Sequence, residues 1–255
     1  MRLRGIPILL FLMAGLLSLQ AGQAEVDLLF EQSNEAYLRE DYQGAIKGYE
    51  EILSLGFESG QLYYNLGNAY YKEGHNGMAI LNYERALKWL PNDDNVRFNL
   101  QLANQQVRDR IDVPPEFFLF RWYDGVVDLF TARQWVHLLA ILLLLTAIGF
   151  ALFWLSDRPR WRSLFRLQLI TGGILLILSL PLAIQRDWRE TRSDAGIVTA
   201  VSVKCHAAPH AGSTELFILH EGTKFSILEE DAGWSKIELI DGKQGWIPQD
   251  SRGVI

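Results

Sequence analysis

The sequence predicts a multidomain membrane protein: an α-helical solenoid, then a two-helix transmembrane hairpin, then a small all-β barrel. Three observations carry this expectation. Two apolar runs, 135–155 and 167–184, are long enough to cross a bilayer, and neither shows the polar face of a soluble helix. Sliding the sequence on itself by 34 residues aligns Asn34, Tyr37, Ala45, Ile46, Tyr49 and Glu50 with Asn68, Tyr71, Ala79, Ile80, Tyr83 and Glu84. From residue 195 onward, short alternating runs separated by tight-turn residues replace both patterns.

Residues 1–24 read as a secretory signal peptide. Arg2 and Arg4 form a basic start, an apolar stretch runs from Ile6 to Leu19, and Gly22 and Ala24 are the small residues before a cut. The alternative is an uncleaved anchor helix; either one exports the chain downstream of it. No cysteine lies near the cut, so lipoprotein processing is not indicated.

Residues 25–111 form the solenoid, two repeats plus a capping helix. Tyr63, Leu66, Gly67, Tyr70, Ala79, Tyr83, Ala86 and Pro91 resemble the signature of the tetratricopeptide repeat (TPR), a helix-turn-helix unit of 34 residues. The residue types make physical sense. Gly67 and Ala79 let two helices cross closely, the tyrosines fill the space around them, and Pro91 ends the second helix. The first copy, about 26–59, departs from the pattern at Leu29, Ser33 and Phe57. A third first-helix, from Asp94 to about Arg108, repeats Asn65-Leu66 as Asn99-Leu100 and covers the open hydrophobic end. Five helices are expected.

Repeat phase turns Phe30, Asn34, Tyr37, Tyr64, Asn65, Asn68, Tyr71, Phe98 and Asn99 toward a concave groove. Amides that donate and accept, set among rings, suit an extended peptide or protein segment; the plainer reading is a solvated face. Some TPR proteins clamp a C-terminal carboxylate with basic residues. Here Phe30 and Tyr64 stand where a lysine is wanted, so that device does not carry over.

Residues 112–134 are expected as an amphipathic interfacial linker, with Phe117, Phe118, Phe120, Trp122, Tyr123 and Phe130 among scattered charges; a linker helix packed on the spans is the alternative. The run 135–155 spans roughly 30 Å as a helix. The run 167–184 returns, with Gly172, Gly173 and Pro181 tolerated inside it; a buried hairpin of a soluble protein is the competing reading. Between them, 156–166 is expected as a cytoplasmic loop, because Arg158, Arg160, Arg162 and Arg166 face only Asp157. That polarity places the solenoid and the barrel in the periplasm, on the outer side of the bacterial inner membrane. Trp135, Trp154, Trp161 and Trp188 lie near the span ends, and 185–194 is a linker.

Residues 195–255 carry expected strands at 197–203, 224–228, 234–239 and 245–247 and a turn at Asp241-Gly242. With His220-Glu221-Gly222-Thr223, Gly233-Trp234 and Gly245-Trp246-Ile247, they resemble bacterial SH3-like domains. That resemblance implies peptides or cell-wall polymers such as peptidoglycan as ligands. Trp234 and Trp246 suit stacking on a sugar or a proline, and equally suit packing.

The net charge of −6 combines −6 on 25–111, −3 on 195–255 and about +3 on the N-terminus and the middle, so both candidate soluble parts are acidic, which disfavours nucleic acid as a partner. The single cysteine, Cys205, excludes an intramolecular disulfide and Cys-rich metal sites. Cys205-His206 with His210 lacks a fourth ligand and any oxyanion donor. The sequence contains no P-loop, dinucleotide fingerprint, His-Glu-x-x-His or Gly-x-Ser-x-Gly. No enzyme, cofactor or metal is expected.

The order of parts resembles the BatE family of the Bacteroides aerotolerance (Bat) operon over the whole chain. The resemblance implies a scaffold subunit of an envelope complex, with von Willebrand factor A domain membrane proteins and other Bat proteins as partners. The alternative is a cell-wall sensor or anchor that binds peptidoglycan through its C-terminal domain.

Overall fold

A computed structural model describes residues 23–111, 117–191 and 194–255. The solenoid comprises α1 (residues 23–38), α2 (Tyr42–Ser54), α3 (Gly60–Glu73), α4 (Asn76–Trp89) and α5 (Asp94–Asn104). Of the expected leader, residues 1–22 lie outside the described residues, and residues 23 and 24 open α1. Local chemistry sets the boundaries. Asp41 accepts from the Gly44 N–H at 3.0 Å, Ser59 from Leu62 at 3.1 Å, and Asp93 from Asn95 and Val96 at 2.9 and 3.2 Å. Gly74, at φ 87°, closes α3 in a left-handed conformation that a side chain would strain.

Small residues face rings across the helix pairs. Ala45, Ala69, Ala79, Ala86 and Ala103 are fully buried, and Tyr49 and Tyr83 fill the gaps between them. A Cβ at Gly67 would lie 2.7 Å from the Tyr83 ring, so α3 and α4 cross as closely as the repeat signature requires. The first copy reaches the same approach differently. Ser33 turns its hydroxyl back onto the Leu29 carbonyl at 2.7 Å, and Gly48 on α2 leaves the room, since a Cβ there would overlap that hydroxyl. The capping helix ends at Asn104 rather than near Arg108. The residues beyond it leave the helix to engage the C-terminal domain.

Of the linker expected at 112–134, residues 112–116 lie outside the described residues; a short helix, α6 (Phe118–Val127), comes next. Then come α7 (Ala132–Leu155) and α8 (Pro159–Thr191), of 24 and 33 residues, both long and apolar enough to cross a membrane. They pack along one face, where Gln168 Nε2 donates to the Leu145 carbonyl at 2.8 Å and Gly172 lies against Thr146. Their other faces leave Leu143, Leu144, Ile177 and Leu178 exposed.

Two expected loops are largely helix. Helix α8 begins at Pro159, so Arg160, Arg162 and Arg166 sit on its first turns and only residues 156–158 connect the two helices. Nothing in this stretch breaks a helix: proline is tolerated at the first position, arginine favours the helix, and Trp161 stacks on Phe165 one turn on, with centroids 6.1 Å apart. At the other end α8 runs through the expected linker to Thr191, with residues 192 and 193 outside the described residues. Trp135, expected at the interface, is buried instead, its Nε1 donating to the Val127 carbonyl at 3.1 Å.

The C-terminal domain is an antiparallel sheet of seven strands, β1 (Ala195–Val198), β2 (Ser202–His206), β3 (Glu215–His220), β4 (Lys224–Asp231), β5 (Trp234–Glu238), β6 (Gln244–Pro248) and β7 (Arg252–Val254), in the order β3-β2-β6-β5-β4-β1-β7. Its core holds Val198, Val203, Leu219, Phe225, Ile237, Leu239 and Ile247. The single strand expected at 197–203 is two, because the N–H groups of Thr199 and Ala200 donate to the Ser251 carbonyl at 3.0 and 3.2 Å and turn the chain between them.

Candidate functional site

The 34-residue step recurs as a hydrogen-bonded ladder. Asn34 Oδ1 accepts from the Tyr49 hydroxyl at 2.7 Å and from Asn65 Nδ2 at 2.9 Å. One repeat on, Asn68 Oδ1 accepts from Tyr83 and from Asn99 Nδ2, both at 2.8 Å. The rings repeat too: Phe30 packs on Tyr49 at 5.9 Å between centroids, and Tyr64 on Tyr83 at 6.2 Å.

An amide oxygen has two lone pairs, and both are engaged at Asn34 and at Asn68, which fixes each amide plane. Among the described residues nothing accepts from the Nδ2 of either. The expected asparagines are therefore not equivalent. Asn65 also accepts from Gln61 at 2.9 Å, and Asn99 also donates to Tyr64 at 3.1 Å, so these two build the ladder while Asn34 and Asn68 keep donors to spare. Burial pushes the Tyr49 phenol up to about 12, and burial likewise raises Tyr83, so both hydroxyls stay protonated donors at neutral pH.

A cavity of about 190 Å³ opens on this ladder, lined by Asn34, Tyr37, Leu38, Tyr49, Asn65 and Asn68, none of them charged. Tyr37 stands edge-on to Tyr42, Tyr71 accepts from Gln106 at 2.6 Å, and Phe98 is exposed. Phe30, Tyr64, Asn65, Tyr71 and Asn99 are half-buried beside them.

In the sheet domain Trp234 and Trp246 are half-buried. Trp234 packs edge-on against His206 at 5.3 Å, and His206 pairs with Trp246 across β2 and β6. Cys205 is completely buried, and burial raises its thiol to about 12. It is a core residue with no thiolate to offer. A maleimide is therefore expected to leave the native full-length chain unlabelled and to label it once only after denaturation; fast native labelling, read by mass spectrometry, would contradict this.

Sequence reasoning missed the joint between the solenoid and the sheet domain. Past α5, Asp109 accepts the His220 backbone N–H at 2.7 Å, the His220 ring at 2.7 Å and the Thr223 hydroxyl at 2.6 Å. Burial alone would raise the Asp109 pKa, but the Thr223 hydroxyl and His220 outweigh it and hold the carboxyl below its usual range. On α4, Arg85 donates twice to the Val254 carbonyl, Glu84 pairs with Lys224 at 2.8 Å, and Gly77 N–H meets Glu221 at 3.3 Å. Leu81 lies so close to Gly253 that a Cβ there would overlap it, and Ile197 is buried in the solenoid's own core. The signal was present in the repeat alignment: where the first copy has Gln43 and Lys47, the second has Gly77 and Leu81, a polar outer face turned small and apolar.

A second joint binds the solenoid to the apolar helices. Arg186, with its side chain 5% exposed, reaches Asp128 at 3.0 Å, Glu190 at 2.9 Å and the Lys88 carbonyl at 2.7 Å. Arg189 pairs with Asp124 and Asp128, and Asn92 donates to the Asp128 carbonyl at 2.6 Å.

A repeat-built helical domain and a compact sheet domain fit a protein-interaction scaffold. Residues 60–93 match the tetratricopeptide repeat family, and residues 201–251 match the bacterial SH3 domain family. Both are non-catalytic interaction modules, and neither match indicates an enzyme family. Among solved structures, the C-terminal SH3 domain of myosin IB from Entamoeba histolytica is similar to this chain at 37% identity over 21% of this chain and 90% of that one, with a TM-score of 0.16. No curated protein matches the chain.

Proposed function

We propose that the chain is a non-enzymatic membrane scaffold that presents its TPR and SH3-like domains at the periplasmic face of a bacterial inner membrane, as a subunit of a Bat-type envelope complex with von Willebrand factor A domain proteins. Helices α7 and α8 are its anchor, and the arginines at their connection are the cytoplasmic end. The groove takes an extended segment of a partner protein. One observation carries this reading: at the same place in successive repeats, Asn34 and Asn68 have both Oδ1 lone pairs engaged and an Nδ2 that no described residue accepts from, a pair of donors for the carbonyls of an extended backbone.

Asn34→Asp with Asn68→Asp tests it, because the carboxylate keeps the Oδ1 acceptor for Tyr49 and Tyr83 while deleting the donor. Affinity purification from membranes is expected to recover von Willebrand factor A proteins with the native chain and to lose them with the variant. Equal recovery would overturn the groove. If the native chain recovers none of them but sediments with purified wall material, the cell-wall anchor replaces the complex subunit.

A further inference from the structure

Helix α6 is packed at its C-terminal end and exposed along its N-terminal half, Phe120 at 66% included. Toward the protein, Val127 is fully buried, Asp124 pairs with Arg189, and Asp128 at its end pairs with Arg186 at 3.0 Å. Helical spacing puts Phe118, Leu119 and Trp122 on the other side of the axis, where they are 61%, 49% and 68% exposed. Soluble proteins rarely leave so much contiguous apolar surface uncovered.

The two arginines also set the helix's depth. Arg186 and Arg189 come two and five residues after Ile184, the last residue of the apolar run. At about 1.5 Å per residue, they hold α6 roughly 3–8 Å beyond the apolar band, within the headgroup region of a bilayer. The exposed apolar surface continues from α6 through Leu129 to Val136 at the start of α7.

We propose that α6 is an interfacial foot, whose Phe118, Leu119 and Trp122 insert at the headgroup boundary of the leaflet from which α7 and α8 emerge. The proposal rests on α7 and α8 being spans. Continuity with the spans and the fixed depth select lipid as the occupant. Arg121 and Asp124 are the only charges on α6, and Asp124 is paired, so apolar insertion drives docking and anionic headgroups do not.

The buried Cys205 leaves room for single-site labelling of the full chain in lipid nanodiscs. Trp122→Cys carries an environment-sensitive fluorophore, Phe118→Cys serves as a second reporter, and Leu144→Cys marks mid-α7. Lipids spin-labelled near the headgroup are expected to quench the Trp122 and Phe118 labels strongly, and lipids labelled deep in the chain to quench Leu144. Exchanging zwitterionic for anionic lipid is expected to change neither. A quenched Leu144 label with unquenched α6 labels overturns the foot and leaves the spans standing, and iodide access then tells water from a covering protein. If no position is quenched, α7 and α8 are not spans and the proposal falls with them.

Discussion

Replacing Tyr83 with alanine is expected to unfold the solenoid. The ring is 1% exposed, lies against Gly67 and donates to Asn68 at 2.8 Å, so the change removes a large buried side chain and a buried hydrogen bond at once. Truncations of this kind cost about 3–5 kcal/mol, a large part of the roughly 5–15 kcal/mol that holds a domain folded. Tyr83→Phe keeps the ring and loses only the hydroxyl, at about 1 kcal/mol. The pair separates packing from the ladder. Thermal melting and proteolysis of the full chain in detergent should show a collapse of protection in residues 25–111 for the alanine variant and a small shift for phenylalanine. Equal behaviour of the two would mean that the hydroxyl, rather than the ring, holds α3 against α4.

The second large effect is expected at Arg186. Its guanidinium joins the end of α4, the end of α6 and the last turns of α8, and it is almost fully enclosed. Arg186→Ala removes a nearly enclosed guanidinium and its three charge-assisted bonds, leaving Asp128 to Arg189 and Glu190 to the Ala132 N–H, which costs about 1.5–3 kcal/mol. The expected result is detachment of the soluble body from the two apolar helices, read as new protease cleavage around residues 105–131 and an earlier melt. Lysine is not expected to rescue, because a point charge cannot make three directed bonds to three elements. Adding Asp128→Asn and Glu190→Gln to the alanine variant should recover part of the loss, since neutral amides tolerate the vacancy better. Unchanged protection in Arg186→Ala would show that α6 and α8 are held by their apolar contacts alone.

Features that depend on local periodicity were readable in the sequence. The 34-residue echo placed both TPR copies, and unbroken apolar runs placed α7 and α8. Errors arose where a distant partner decides the outcome. The Ile197–Val203 alternation looks like one strand until Ser251, about fifty residues away, takes two of its N–H groups. Strand β3 escaped notice because Leu216-Phe217-Ile218-Leu219 is apolar without alternation, although only Phe217 and Leu219 turn inward. The arginines after Leu155 suggested a loop by their charge, yet charge does not stop a helix. Sequence phase put Asn34, Asn65, Asn68 and Asn99 on one face, where they do meet, but it could not show which are spent on one another, because that depends on where Tyr49 and Tyr83 place their hydroxyls.

The Asp109 strap and the α4 contacts have a consequence for any partner long enough to touch both modules. Domains on a slack tether would accommodate ligands of many lengths; with Asp109 and Arg85 bonded across the joint, and on the function proposed above, the spacing between groove and sheet would serve as a ruler. A bivalent ligand whose two contact points match that interval gains the full benefit of the second contact, and one that is too short or too stiff gains none.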